Sequence, residues 1–179
     1  MLQKDSMSLT LEVFFLEPSK EHYLMDISRK TNIAHPSIKK NLSVLLKSKI
    51  IKKEIQKKGS RKFPIFKALI DNKEFKTLKM IYNIKSIYKS GLSNFLKGEL
   101  FPKCIILFGS YRRGEDFEDS DIDIFIECKE EKLDLTHFEK ILKRKIQLHF
   151  KNNFSDYSKE LKNNIINGIV FEGFLEGYL

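Results

Sequence analysis

Two apolar runs, separated by a polar segment, constrain this chain more than any other feature. The first run, Cys104–Phe108, is short and continuous, as in a buried strand. Gly109 and Ser110 follow it directly, and after ten further residues a second run begins with Asp121-Ile-Asp123. Since side chains alternate along a strand, the two aspartates share one face and the isoleucines share the other. The sequence therefore predicts two buried strands joined by a glycine-serine turn and a polar loop.

The glycine and the paired aspartates together predict a site for phosphate and metal. With no side chain at Gly109 a phosphate can approach the backbone, and Ser110 adds a hydroxyl beside the main-chain amides of the turn. Two carboxylates close together on one strand face repel each other unless a cation lies between them. Magnesium is the expected cation, because one or two carboxylates commonly bind it together with nucleotide phosphates. An exposed edge strand would explain the aspartates but not the turn.

This region resembles the nucleotidyltransferase superfamily related to DNA polymerase beta, and specifically its minimal nucleotidyltransferase branch. The residues that carry the resemblance are Phe108-Gly109-Ser110-Tyr111-Arg112-Arg113-Gly114 and Ser120-Asp121-Ile122-Asp123-Ile124. The resemblance covers about residues 92–150 and implies a small mixed sheet backed by helices.

The resemblance also implies the roles of individual residues. Gly109 and Ser110 would hold the phosphates of an NTP, for which we expect ATP, while Asp121 and Asp123 would be catalytic and bind Mg²⁺ or Mn²⁺. Arg113, with Arg112 as a second choice, could add a cation near the phosphates. The alternative for both arginines is a solvated pair in a turn.

The chain departs from the family where a later strand normally supplies a third carboxylate. Residues 145–150 read as that strand, and its alternation places Gln147 and His149 on the face where the acid is expected. Gln147 can coordinate through its carbonyl oxygen, whereas His149 could act as a base near neutral pH. Altered chemistry, lost chemistry and a loop carboxylate from Asp134 or Asp156 all stay open. Nucleotide binding is therefore predicted more firmly than turnover.

The N-terminal part of the chain shows helices followed by a basic hairpin. The expected elements are helices over residues 9–15, 25–30 and 36–47, strands over 50–55 and 63–66, and a glycine-containing turn over 56–62. This order, and the cations in the turn, resemble the winged helix-turn-helix family of DNA-binding domains over roughly residues 7–70. By analogy, double-stranded DNA is the expected partner.

In that family the second helix of the motif enters the major groove and the wing contacts phosphate. Carried over to this chain, the groove-facing candidates are Ser37, Lys39, Lys40 and Asn41. The phosphate-contacting candidates are Lys57, Lys58, Arg61 and Lys62. The alternative is a winged helix that binds proteins and whose lysines only keep it soluble.

Charge is distributed unevenly over the 179 residues, whose net charge is +9. Residues 1–90 carry 20 Lys and Arg against 8 Asp and Glu, whereas residues 91–179 carry 13 against 16. The two halves are therefore expected to meet different partners. We predict an α+β chain with a winged helix-turn-helix domain at 1–70, a helical connector at 71–91 and a minimal nucleotidyltransferase domain at 92–179. The connector could transmit orientation or form a homodimer interface.

Targeting signals are not expected in this sequence. The first residues lack a basic start followed by an apolar core, and no apolar run approaches the roughly 18 residues of a membrane span. Cys104 and Cys128 lie inside apolar runs and are predicted to be reduced core residues. A cytoplasmic protein without a membrane partner is expected.

Three functions fit these features. The first is a DNA-binding protein with a magnesium-dependent nucleotidyltransferase domain and an unknown acceptor; a partner protein is one candidate, as in antitoxin-like members of the resembled branch. The second is a transcriptional regulator whose degenerate transferase fold only senses nucleotide. The third is a scaffold that docks other proteins. The intact glycine-serine turn and Asp-x-Asp pair favour the first, and the missing third acid favours the second.

Overall fold

The computed structural model describes residues 5–151, 154 and 157–175, which form an α+β structure of two compact units. Unit 1 ends at Lys79 and unit 2 begins at Met80. This division lies within the predicted connector, whose bounds stay predictions. Within the described residues, the structure contains no helix with both the length and the apolar character needed to cross a membrane.

Unit 1 contains three helices and a three-stranded antiparallel sheet. Its elements are α1 (Ser6–Leu16), β1 (His22–Tyr23), α2 (Leu24–Thr31), α3 (His35–Lys47), β2 (Ile51–Lys58) and β3 (Arg61–Ala68), with sheet order β1-β3-β2. The carboxylate of Asp5 accepts a hydrogen bond from the Ser8 amide and so caps α1. Buried apolar side chains from each helix form the core, among them Phe14, Ile27 and Ile38.

The β2–β3 hairpin is longer than the sequence predicts. Its strands continue to Lys58 and from Arg61, so that the expected seven-residue turn shrinks to Gly59 and Ser60. The antiparallel register places Lys57 opposite Lys62 and Lys58 opposite Arg61. Like charges that face each other across two strands destabilise the pairing, so the hairpin tip concentrates unrelieved positive charge.

Asn41 does not belong to the outward face of α3, and its prediction as a groove-facing residue is wrong. The side chain is buried, and its Nδ2 donates to Thr10 Oγ1 at 3.0 Å and to Ser6 Oγ at 3.3 Å. Position 41 follows Ile38 by three residues and therefore lies on the apolar side of the helix. Two hydroxyl groups of α1 satisfy the amide there, so Asn41 joins α3 to α1.

Unit 2 contains a four-stranded mixed sheet with helices on both faces. The remaining elements are α4 (Lys73–Ser90), which begins in unit 1, α5 (Leu92–Leu100), β4 (Cys104–Phe108), α6 (Gly109–Arg113), β5 (Ile122–Ile126), α7 (Thr136–Leu142), β6 (Ile146–Phe150), α8 (Lys159–Ile166) and β7 (Ile169–Gly173). The strand order is β6-β5-β4-β7, with β5 and β6 parallel and the other pairs antiparallel.

The two faces of this sheet bury different clusters. Ile122, Ile124 and Ile126 lie in a core that also contains side chains of α4, α5 and α7. On the opposite face, Phe108 and Phe125 pack with other buried side chains, including one from α8. The period-two pattern of β5 is therefore confirmed. The apolar residues 169–175, for which the sequence indicates only a core or dimer contact, mostly form β7, which pairs with β4 at the edge of the sheet.

His22 is the buried titratable side chain of β1. It is 2% exposed, its Nε2 lies 3.1 Å from the Glu17 carbonyl oxygen, and its ring meets Phe14 edge-on at 5.0 Å. Burial lowers the pKa of His22, because the charged imidazolium loses its hydration, and the nearby Glu17 opposes this effect.

We predict that unit 1 loses stability on acidification through His22. In the unfolded chain the imidazole of His22 takes up a proton at about pH 6.5, whereas in the native protein it does so only at lower pH. The free energy of unfolding therefore falls as the pH drops below about 6.5. Urea denaturation at about pH 7.5 and about pH 5 should show a smaller loss for His22→Gln than for wild type. The exposed His35 provides the control, since His35→Gln should retain the wild-type loss. An equal loss in all three proteins would contradict the prediction.

Candidate functional site

The glycine-serine turn and Asp123 meet at one end of the two central strands in the sheet of unit 2. β4 ends at Phe108, and Gly109 begins the short helix α6, which ends at Arg113 and is capped by Gly114. The chain then returns through a loop to β5, whose antiparallel register places Asp123 opposite Phe108. A carboxylate at this register position lies beside the residue that follows β4. The two sequence motifs are therefore brought together by strand pairing.

Gly109 and the carboxylate of Asp123 make the closest approach in this site. A Cβ atom placed on Gly109 would lie 2.3 Å from Asp123 Oδ2, a distance that real Cβ atoms do not adopt. Gly109 also has a φ of 75°, in the left-handed region that favours glycine. Two independent features of position 109 thus require glycine, and one of them is the carboxylate itself.

His149 is the side chain from β6 that contacts Asp123. Its Nε2 lies 3.1 Å from Asp123 Oδ1, with both side chains about one-fifth to one-quarter exposed. The ring also meets Phe108 edge-on at 5.0 Å between centroids. Gln147 pairs with Asp123 in the parallel register but is exposed. Of the two residues on this face of β6, it is the histidine that is bonded to the carboxylate.

Asp121 precedes β5 and is exposed. It lines a cleft of about 480 Å³ whose other walls come from the loop before β5 and from α7 and the segment after it. The pKa of Lys145 in this cleft is raised, chiefly by its hydrogen bond and charge attraction to Glu139 and further by the negative charge of Asp121. Asp121 therefore faces solvent close to the positively charged side chain of Lys145.

Ser110 and the two arginines of α6 differ in their surroundings. Ser110 is partly buried next to Gly109. The Nε of Arg113 donates to Glu115 Oε2 at 2.7 Å, so this half-exposed side chain is held in an ion pair beside α6. The Nε of Arg112 is buried, with no hydrogen-bond partner in the described part of the chain.

The two loop carboxylates considered for a third acid are placed differently. Hydrogen bonds from the Thr136 hydroxyl and, at 2.9 Å, from the Thr136 amide at the start of α7 lower the pKa of the Asp134 carboxylate. Asp156 lies outside the described residues. Across residues 5–151, 154 and 157–175, no group of three or more His, Cys, Asp and Glu side chains is arranged to hold a metal ion. Asp123 is the carboxylate that the structure places against the glycine-serine turn.

Three polar residues that are buried near the glycine-serine turn were missed by sequence reasoning. They are Asn83 in α4, Asp116 in the loop after α6, and Arg144 before β6. Asn83 interrupts the apolar side of a helix, which is a weak signal for a buried polar contact. Nothing in the sequence pairs it with residues about thirty positions later.

Comparison with known proteins supports the identity of this region. The sequence profile of the family described as "Polymerase beta, Nucleotidyltransferase" matches residues 91–173, which include Gly109, both aspartates and His149. A protein of Methanocaldococcus jannaschii with the name "Putative protein adenylyltransferase MJ1379" is 35% identical over 102 residues, which cover 52% of this chain and 99% of that protein. No solved structure matches the chain.

We predict that Gly109→Ala destabilises unit 2 more than Gly91→Ala does. Both glycines have positive φ, at 75° and 81°, so both substitutions impose backbone strain of about 1–2 kcal/mol. Only at position 109 does the new methyl group collide with a neighbour, because nothing lies within 4 Å of a Cβ at Gly91. The free energies of unfolding in urea give the comparison. Equal losses in the two variants would show that Asp123 does not lie against Gly109.

Proposed function

The chain belongs to the polymerase beta nucleotidyltransferase family, and from that premise we propose that it transfers AMP from ATP to a hydroxyl group of an acceptor protein. The acceptor oxygen would attack the α-phosphorus of ATP and form a new oxygen–phosphorus bond. The bond from that phosphorus to the bridging oxygen would break, pyrophosphate would leave with that oxygen, and the proton of the acceptor hydroxyl would pass to solvent. The relative's name supports the choice of ATP and of a protein acceptor.

The observation that carries this proposal is the contact among Gly109, Asp123 and His149. A backbone that lacks a side chain leaves room for phosphate oxygens, and Ser110 adds a hydroxyl next to it. The carboxylate of Asp123 is held at the same place by strand register and by His149. Phosphate and carboxylate are both anionic, so they share a site only when a cation lies between them.

Asp121 and Asp123 are the residues that we propose hold this cation. Their oxygen atoms fit magnesium, which prefers carboxylate and phosphate oxygens and is commonly bound by only one or two protein carboxylates. Bound there, the ion would neutralise charge on the reacting phosphates. The chain's own contribution is to hold the Asp123 carboxylate beside the turn, through the contact with His149 and the close approach to Gly109.

His149 is proposed to position Asp123. Its Nε2 is engaged with Asp123 Oδ1, and its ring is packed against Phe108, which ends β4. An imidazole with these two contacts fixes the orientation of the carboxylate relative to the turn. The role of His149 as a general base stays a prediction.

We predict that Asp121→Asn and Asp123→Asn each abolish magnesium-dependent ATP binding and AMP transfer, because each removes a charged ligand from the cation. Calorimetric titration of ATP with and without magnesium measures binding, and ATP labelled at the α-phosphate measures transfer to proteins. Glu99→Gln, at an exposed position of α5, is the control and should behave as wild type.

The outcomes distinguish the candidate functions. Unchanged ATP binding in both aspartate variants would refute the nucleotide site. Wild-type protein that binds ATP through these aspartates but transfers no label to any acceptor tested would favour the nucleotide-sensing regulator instead.

A second function, DNA binding by unit 1, is favoured by the charge at the tip of the β2–β3 hairpin. Two pairs of cations face each other across the strands there, and Lys57, Arg61 and Lys62 are exposed. Lys58 is also exposed, and its Nζ lies 5.0 Å from the centroid of the Tyr23 ring. A polyanion would relieve the repulsion of these pairs, so the tip is suited to a phosphate backbone.

The outward face of α3 supports the same proposal. Ser37, Lys39 and Lys40 are exposed there, near the start of a helix of 13 residues. We propose that unit 1 is a winged helix-turn-helix domain, in which these side chains enter the major groove of double-stranded DNA and the hairpin contacts phosphate. Asn41 takes no part in this surface, because it is bonded to α1.

We predict that replacing Lys57, Lys58 and Arg61 together by alanine weakens DNA binding and flattens its salt dependence. Removing three phosphate contacts should reduce the slope of log affinity against log salt by up to about 3. The control variant replaces three exposed lysines of unit 2 by alanine, namely Lys129, Lys132 and Lys159. It lowers the net charge by the same three units as the hairpin variant and should leave the slope unchanged. Fluorescence anisotropy with a mixed-sequence duplex measures both. A slope unaltered by the hairpin variant would favour the protein-docking interpretation.

A further inference from the structure

A buried hydrogen-bonded cluster lies next to the turn that carries Gly109 and Ser110. Its centre is Asn83 of α4, which is 2% exposed. Asn83 Nδ2 donates to the carbonyl oxygen of Tyr111, within α6, and to Asp116 Oδ1, each at 2.8 Å. Asp116 is 2% exposed, and its Oδ2 lies 3.4 Å from Arg144 Nη2. We call Asn83, Asp116 and Arg144 the buried polar cluster.

Each contact of this cluster reaches a different segment that carries a site residue. Tyr111 lies two positions after Gly109 in the same short helix. Asp116 lies in the loop that leads to Asp121. Arg144 lies two positions before the start of β6, the strand of His149. The cluster therefore joins the glycine-serine turn, the aspartate loop and the histidine strand to one helix, α4.

Burial holds the three residues of the cluster to their hydrogen-bond partners. Buried charges in a medium of low polarity require their partners, and removing one partner leaves the other unsatisfied. The Tyr111 side chain beside the cluster is itself buried, and burial, followed by the charge of Asp116, raises the pKa of its phenol well above its usual range. A displacement of α6 or of the loop would break the hydrogen bonds that Asn83 Nδ2 makes to the Tyr111 carbonyl oxygen and to Asp116. The three segments are thus held in one arrangement.

We propose that Asn83, Asp116 and Arg144 are positioning residues for nucleotide binding and transfer. The proposal rests on the nucleotide site proposed above and adds residues that lie outside it. Asn83 sets the position of the backbone that would meet the phosphates, while the Asp116–Arg144 pair sets the segments that bring Asp121 and His149 to that backbone. They affect the reaction by fixing the positions of the glycine-serine turn, the aspartate loop and the histidine strand.

The test compares Asn83→Ala with Ile87→Ala. Both residues are buried on the same side of α4, one turn apart, but Ile87 is a member of the apolar core. Both substitutions should lower the free energy of unfolding in urea. Only Asn83→Ala should raise the dissociation constant of magnesium-ATP, by about tenfold, and slow AMP transfer by on the order of 100-fold, since small misplacements of a reacting group have effects of that size.

A second pair of variants serves if Asn83→Ala does not fold. Asn83→Asp places two carboxylates side by side and should impair ATP binding. The double variant Asn83→Asp/Asp116→Asn restores one donor between the two positions and should recover part of the affinity. Stability can recover as well, because residues in contact do not contribute additively to it, so the free energy of unfolding in urea is measured for both variants. Recovery of affinity without a matching recovery of stability is the sign of positioning.

The outcomes separate this inference from the proposed function. Wild-type protein that binds no ATP would refute both. Wild-type protein that binds ATP, together with unchanged affinity and transfer in Asn83→Ala, would refute the positioning role alone. Equal losses of affinity in Asn83→Ala and Ile87→Ala would also refute it, because the effect would then follow stability.

Discussion

The approach of the Asp123 carboxylate to the backbone of Gly109 is the contact on which the arrangement of unit 2 depends. It requires the antiparallel register of β4 and β5, which sets Asp123 opposite Phe108, and it requires a residue without Cβ at position 109. A slip of one residue in that register would turn the aspartates into the core and the isoleucines toward the site. The apolar face of β5 therefore stabilises the position of Asp123, since a slip of one residue would remove three isoleucines from the core.

The chemistry available at Asp123 follows from its neighbours. One carboxylate oxygen meets an imidazole nitrogen and the other lies against the glycine backbone, so neither oxygen is free to rotate away. His149 brings no negative charge, and calcium and magnesium sites gain affinity with the charge of their ligands. A cation held by Asp121 and Asp123 is consequently expected to depend strongly on the phosphates of the nucleotide, which couples metal binding to substrate binding.

Local patterns made much of this fold predictable from the sequence. The alternation in residues 121–126 predicted the buried face of β5, and the alternation in residues 145–150 placed His149 on the face from which its Nε2 reaches Asp123 Oδ1 at 3.1 Å. Other features depend on partners that are distant in the sequence. Asn41 is buried because two hydroxyls of α1 lie over it, and Asn83 is bonded to residues 28 and 33 positions later. Periodicity identifies the side of a helix, but it does not identify which polar group will be satisfied there.

The two units carry charged groups of opposite sign. At the hairpin tip of unit 1, paired lysines and an arginine repel each other across two strands. In unit 2, Asp121 and Asp123 lie two positions apart at the start of β5, where Asp121 is close to Lys145 and Asp123 is bonded to His149. In the proposed function, a polyanion binds the first group, and a divalent cation that also meets the nucleotide phosphates binds the second. The uneven charge of the sequence would then correspond to a separate ligand for each unit.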